Sequence, residues 1–212
     1  MKMLLTCFLI GLGAFTRADG QANAVPSPET SGPVVETIVC IRHGEKPPGG
    51  LGQLTCRGLN RALALPNVLL AKYGSPQFVF APNPAQKVDG AGDYFYVRPL
   101  VTIEPTAIRC GLPINTQFGY REIKGLESEL QKPRYQKAVI FVAWEHVYLY
   151  QFARQLLLFS GNDPNVVPVW LQDDYDMIYI VHIVRTGPKT RITFTSSQEK
   201  LNNSLKDSCP VP

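Results

Sequence analysis

Apolar residues along the chain fall into short blocks separated by polar, glycine- or proline-rich segments, and the block lengths alternate between those of strands and helices. Val35 to Ile41 is a nearly continuous β-branched and apolar run, which predicts a strand covered on both faces of a sheet and ending at Arg42-His43-Gly44. Beyond the loop Pro47 to Gly52, a helical stretch from about Thr55 to Tyr73 has Leu59, Ala62, Leu63, Leu69 and Leu70 at its apolar positions, and Pro66 is expected to kink or divide it. Phe78 to Phe80 reads as a short strand, followed by a loop through Ala81-Pro82-Asn83-Pro84 to Gly92. Pro99 to Cys110 predicts a helix with proline in its first turn and Arg98 just ahead of it. A weaker helix over about Lys124 to Gln131 precedes a strand from Ala138 to Ala143, the motif Trp144-Glu145-His146, and a helix from about His146 to Phe159. Met177 to Arg185 and Arg191 to Thr195 are two last strands joined by a hairpin connection, Thr186-Gly187-Pro188-Lys189.

Strands alternating with helices indicate an α/β fold: a three-layer sandwich with a mostly parallel mixed sheet, helices on both faces and an antiparallel hairpin at one edge. Ligands of such sheets bind beyond the carboxyl ends of the strands. His43 and His146 each follow directly on a strand's carboxyl end, so this architecture gathers them although they are far apart in sequence.

The amino-terminal segment has a different character. Lys2, the apolar run Met3 to Phe15 and the small-x-small end Ala22-Asn23-Ala24 have the layout of a secretory signal peptide over residues 1–24. The run is about a dozen residues, too short for a membrane-spanning helix. Residues 25–33, rich in proline and serine, read as a flexible leader, and 34–212 as one domain. Cleavage after Ala24 leaves 212 − 24 = 188 residues, and the loss of Lys2, Arg17 and Asp19 takes the formal charge from +4 to +3. The basic residues are scattered rather than massed, which does not suggest nucleic-acid binding. The expected protein is exported, periplasmic or secreted, with no membrane attachment after cleavage. Cys40, Cys56, Cys110 and Cys209 permit three disulfide pairings, and spacing leaves the choice open. Cys40, inside an apolar strand, reads as a free buried thiol, and none of the four has Cys-x-x-Cys metal spacing.

Phosphoryl transfer needs fixed cations around the equatorial oxygens, a nucleophile in line with the leaving oxygen, and an acid to protonate that oxygen. Arginine's planar fork suits the clamp, and a neutral imidazole attacks phosphorus without a metal. Arg42, Arg98, His43 and His146 fill these posts.

Ile41-Arg42-His43-Gly44-Glu45 resembles the R-H-G motif of the histidine phosphatase superfamily, also called phosphoglycerate mutase-like. Leu54-Thr55-Cys56-Arg57-Gly58-Leu59-Asn60-Arg61-Ala62 resembles that family's L-T-x-x-G-x-x-x-A helix start. Arg98-Pro99-Leu100-Val101-Thr102 is similar to the segment bringing its second arginine, and Val139 to His146 to the strand delivering its second histidine. The resemblance runs from about Val35 to Arg185. It implies a phosphoglycerate mutase-like fold and a phosphatase that hydrolyses small phosphomonoesters. His43 would be the residue phosphorylated, Arg42, Arg98 and His146 would bind the phosphoryl group, and no metal or cofactor would be needed. A catalytically inactive phosphate- or anion-binding protein on the same fold is the alternative.

The chain departs from the pattern in two places. Many members carry the second arginine as R-A-x-Q-T directly after a serine-proline pair, whereas here a long insertion separates Ala81-Pro82 from Arg98. Phytase-like members place an aspartate after the second histidine, whereas here Val147 follows it and Glu145 precedes it. Glu145 is the first candidate for proton donor, beside bound phosphate where burial and negative neighbours raise a carboxyl pKa. Glu45 is held in reserve, as is Glu104, which also suits a dipole-stabilising place in a helical first turn. Other residues have plainer readings. His182 fits a sheet position, and Asp173, Asp174 and Asp176 fit a solvated turn with a capping role. Arg57 and Arg61 suit either a second anionic subsite or an exposed helix face.

Overall fold

A computed structural model describes residues 32–88 and 93–210, which fall in one compact unit. The expected signal segment lies outside the described residues, as does the leader except for its last two positions and as do residues 89–92 of the insertion.

Six strands form the main sheet. β1 (Val34–Arg42), β2 (Phe78–Phe80), β5 (Ile114–Asn115), β6 (Val139–Trp144), β7 (Met177–Thr186) and β8 (Lys189–Gln198) lie in the order β5-β2-β6-β1-β7-β8. The pairs β5/β2, β2/β6 and β6/β1 are parallel, and β1/β7 and β7/β8 are antiparallel. This is the mixed, mostly parallel sheet with a terminal hairpin that the sequence pattern predicts. Gly187 and Pro188 make the two-residue turn, closed by the pair Thr186↔Lys189.

Four helices, α1 (Cys56–Tyr73), α2 (Arg98–Cys110), α3 (Ile123–Leu130) and α4 (His146–Phe159), cover the two faces. Successive strand side chains point to opposite faces, so β1 sends Ile38 and Cys40 to one core and Val39 and Ile41 to the other. Ile140 and Val142 of β6 join the first core, with Leu126, Leu130, Phe152 and Leu156 of α3 and α4. Phe141 and Ala143 join the second, with Leu65, Leu69, Ile103 and Ala107 of α1 and α2.

Three expectations are corrected. Pro66 does not divide α1, which runs unbroken through it; the residue is buried within the helix's inward stripe, where packing outweighs the one missing backbone hydrogen bond. Leu63 is half exposed, and the buried stripe runs through Ala62, Leu65, Pro66 and Leu69. The insertion after Pro82 is not all loop: β3 (Lys87–Val88) and β4 (Tyr94–Phe95) form a small antiparallel ribbon.

Cys56 and Cys209 form a disulfide, while Cys40 is a buried free thiol and Cys110 a partly exposed one. The bond fastens the carboxy-terminal segment to the start of α1. Asn60 and Arg57 reinforce it: Asn60 Nδ2 donates to the carbonyls of Lys206 and Ser208, and Arg57 Nη1 to that of Leu205. Among the described residues no helix is long and apolar enough to cross a membrane.

Candidate active site

The site begins with sheet register. β1 and β6 run in parallel from Thr37↔Val139 to Arg42↔Trp144, and the His43 amide donates to the Trp144 carbonyl at 3.0 Å. Arg42-His43 and Glu145-His146 therefore leave the sheet side by side, at the carboxyl ends of adjacent parallel strands.

His43 is 2% exposed. Its Nδ1 lies 2.7 Å from the Gly44 carbonyl oxygen, which can only accept, so Nδ1 carries the proton and Nε2 keeps a free lone pair. Burial holds the imidazole well below its ordinary pKa, and the positive charges of Arg98, Arg42 and Lys46 push the same way. The ring is therefore neutral at neutral pH, with its Nε2 lone pair available.

Glycine at positions 44 and 58 is required by close approach. A Cβ on Gly44 would lie 2.8 Å from the Gly58 carbonyl oxygen, and one on Gly58 would lie 2.5 Å from the Glu45 carbonyl oxygen. The histidine loop thus rests directly on the first turn of α1. Thr55 caps that turn by accepting from Gly58 N at 3.1 Å, and its own amide donates to the Glu45 carbonyl at 2.8 Å. On the other side, Gly44 N donates to Thr102 Oγ1 at 2.9 Å, and Thr102 Oγ1 donates to the Arg98 carbonyl at 2.8 Å. One threonine links the two motifs.

Arg42 and Arg98 are almost wholly buried. Arg42 Nη1 donates to the carbonyls of Gln172 and Asp174 at 2.7 and 2.9 Å, and its guanidinium stacks 4.0 Å from the Tyr175 ring centre. Its Nε and Nη2 have no partner. Arg98, the first residue of α2, donates from Nη1 to the Gly50 carbonyl at 3.0 Å and stacks 4.6 Å from the Tyr96 ring centre, leaving Nε unpaired. Buried guanidinium N–H groups are costly to leave unsatisfied, so these free donors are suited to an anion.

Glu145 caps α4, accepting at Oε2 from the amides of Val147 and Tyr148 at 2.9 and 3.3 Å. Its Oε1 lies 2.6 Å from His146 Nδ1, at ion-pair distance but without hydrogen-bond alignment. The carboxyl pKa differs from the sequence expectation. Burial raises it, but the His146 contact and the two amides together hold it below the ordinary carboxylate value. Neither reserve donor is free for the role. Glu45 is bound to Arg61 and Arg57 and likewise held low, and Glu104 faces solvent on α2, beyond its first turn.

The plainer readings of Arg61 and the aspartates also change. Arg61 is fully buried rather than on an exposed face, and it holds Glu45, Asp176, Glu199 and Asn202 together. Asp176 is buried too, accepting from the amides of Lys200, Leu201 and Asn202. Arg57 belongs to the same anchor. His182 stays a sheet residue, with Nδ1 3.1 Å from Thr37 Oγ1. Tyr96, Tyr175 and Lys46 stand at the site although no motif singled them out; the single sequence cue was an aromatic two residues before Arg98.

The solved structures to which the chain is similar include the assigned phosphohistidine phosphatase SixA from Nakamurella multipartitia. It is 15% identical with a TM-score of 0.50, the match covering 76% of this chain and 94% of that one. Also similar are a phosphoserine phosphatase from Entamoeba histolytica, solved with phosphoserine (11%, TM-score 0.46, 80% and 99% covered), and the assigned SixA from Agrobacterium tumefaciens (8%, 0.40, 76% and 97%). The first of these shows the fold that the two share, a mixed, mostly parallel sheet with helices on both faces. No protein-family model matches the sequence, and no curated protein matches it.

Proposed function

We propose that this protein is a phosphatase that hydrolyses small phosphomonoesters through a phosphohistidine formed on His43. The observation that carries this reading is a buried neutral imidazole with a free Nε2, flanked by two buried arginines that keep unpartnered N–H groups. His43 Nε2 attacks phosphorus, and the P–O bond to the leaving group breaks as the leaving oxygen takes a proton from Glu145. Arg42, Arg98 and His146 hold the phosphoryl oxygens, with the positive end of α4 beside them. Water then attacks the phosphohistidine and returns its proton to Glu145, which releases phosphate and restores the ring. The arriving phosphoryl dianion equips Glu145 for this role, because like-charge repulsion raises the affinity of the carboxyl for a proton. Arg42 and Arg98 supply the cationic work without a metal. We further propose export into an oxidising compartment, which the Cys56–Cys209 disulfide and the pattern of residues 1–24 support.

Rapid mixing with a labelled phosphomonoester, followed by an acid-sensitive quench assay, tests the reading in the presence of a chelator. Wild type should carry acid-labile phosphate on His43, and His43→Ala should lose both label and turnover. Glu145→Gln should slow alkyl phosphates about 10²–10⁴-fold and activated aryl phosphates far less. Label on another residue would overturn the mechanism, and tight phosphate binding without turnover of any ester would make the protein an anion binder.

A further inference from the structure

The insertion that sets this chain apart from the resembled pattern brings one more polar group to the site. Tyr96 lies between the β3/β4 ribbon and α2, its amide donating to the Gln86 carbonyl at 3.1 Å. The next two amides, of Val97 and Arg98, both donate to the Gly52 carbonyl, also at 3.1 Å. The backbone is thus pinned on both sides, and the side chain is only 1% exposed. Three neighbours fix the ring. His43 meets it edge-on at 6.0 Å between centroids, Tyr120 packs against it at 4.9 Å, and Arg98 covers a face. The hydroxyl has no hydrogen-bond partner. Arg98, stacked on the ring, can only donate, so the phenolic proton has no acceptor in any case. Burial raises the phenol's pKa, and Arg98, Glu145 and Arg42 are the charges that act on it. An O–H that stays protonated among those groups is a donor in need of an acceptor.

We infer that the Tyr96 hydroxyl is a further phosphate ligand, donating a hydrogen bond to a phosphoryl oxygen held by Arg42 and Arg98. This rests on the phosphatase reading above and adds to it a neutral donor carried by the insertion. The Tyr96 O–H, Arg42 Nε and Nη2 and Arg98 Nε then form a set of buried donors that one phosphoryl group satisfies together. Its tetrahedral oxygens present more acceptor sites than a planar carboxylate, so the same set should favour phosphate over carboxylate ligands.

Tyr96→Phe removes the hydroxyl and keeps the ring that packs on His43, Tyr120 and Arg98. Isothermal titration with inorganic phosphate should show about 10- to 100-fold weaker binding, the range for a hydrogen bond to a charged group. Without phosphate, the variant's melting temperature should equal or exceed that of wild type, since the lost group was buried and unpaired. Phosphate affinity equal to wild type would overturn the inference, and so would a fall of several degrees in the phosphate-free melting temperature, which would make the hydroxyl structural. If wild type neither binds phosphate nor turns over any ester, the phosphatase reading fails and takes this inference with it. An active wild type with an unaffected Tyr96→Phe variant sinks the inference alone.

Discussion

Breaking the Cys56–Cys209 bond should cost this protein a large share of its stability. The cross-link joins residues separated by 153 positions, so it restrains most of the described chain when unfolded. Loop-closure entropy for a ring of that length corresponds to about 5 kcal/mol at 25 °C, against a total of roughly 5–15 kcal/mol for an ordinary domain. The contacts that remain offset little of this. The Arg57–Asp207 pair is solvent-exposed on the aspartate side and contributes little, and the Asn60 hydrogen bonds act only once the segment has docked. Cys209→Ser, Cys56→Ser and the double variant should each lose about 2–5 kcal/mol in urea unfolding extrapolated to water, with a steeper urea dependence because the unfolded chain is freer to expand. All three should agree, because they remove the same bond. A loss below about 1 kcal/mol, or a double variant that loses the sum of the singles, would refute the reasoning.

Two other predictions concern the supports of the site. Burial pushes the Glu199 carboxyl up to about 8, although Arg61 pulls it down. A raised folded-state pKa gives stability that is full below the unfolded value and lost as pH rises, so Glu199 should cost about 1.4 kcal/mol per pH unit at most across roughly pH 4.5 to 8. Glu199→Gln should gain on wild type over that window in urea unfolding, and parallel curves would refute the assignment; Glu36, pushed up to about 7 by burial, gives its own slope in both proteins. Gly58→Ala would help an ordinary helix, but here its Cβ meets the Glu45 backbone, so it should destabilise by about 1–3 kcal/mol and depress turnover by moving His43. Unchanged kcat with raised stability would show that the loop does not rest on α1.

The sequence alone determined the alternation of elements, because a buried parallel strand and an amphipathic helix leave different apolar periods. Val35 to Ile41 and His146 to Phe159 were readable for that reason. It also determined that Arg42-His43 and Glu145-His146 follow strand ends. That β1 and β6 are neighbours in register, which makes the two ends one site, follows only from how the sheet assembles. The fate of the polar residues was likewise illegible, since charge and spacing do not reveal who is near. Arg61 has the sequence context of a solvated helix face, yet three carboxylates and an asparagine from distant segments surround it. Glu145 has the context of a proton donor, yet local amides and its histidine neighbour stabilise its anion. Cys56 found Cys209, and Tyr96 found His43, through contacts that no period records. A chain's own pattern fixes what must be buried, whereas the partners of a buried charge or hydroxyl come from segments far off in sequence, and only their packing selects them.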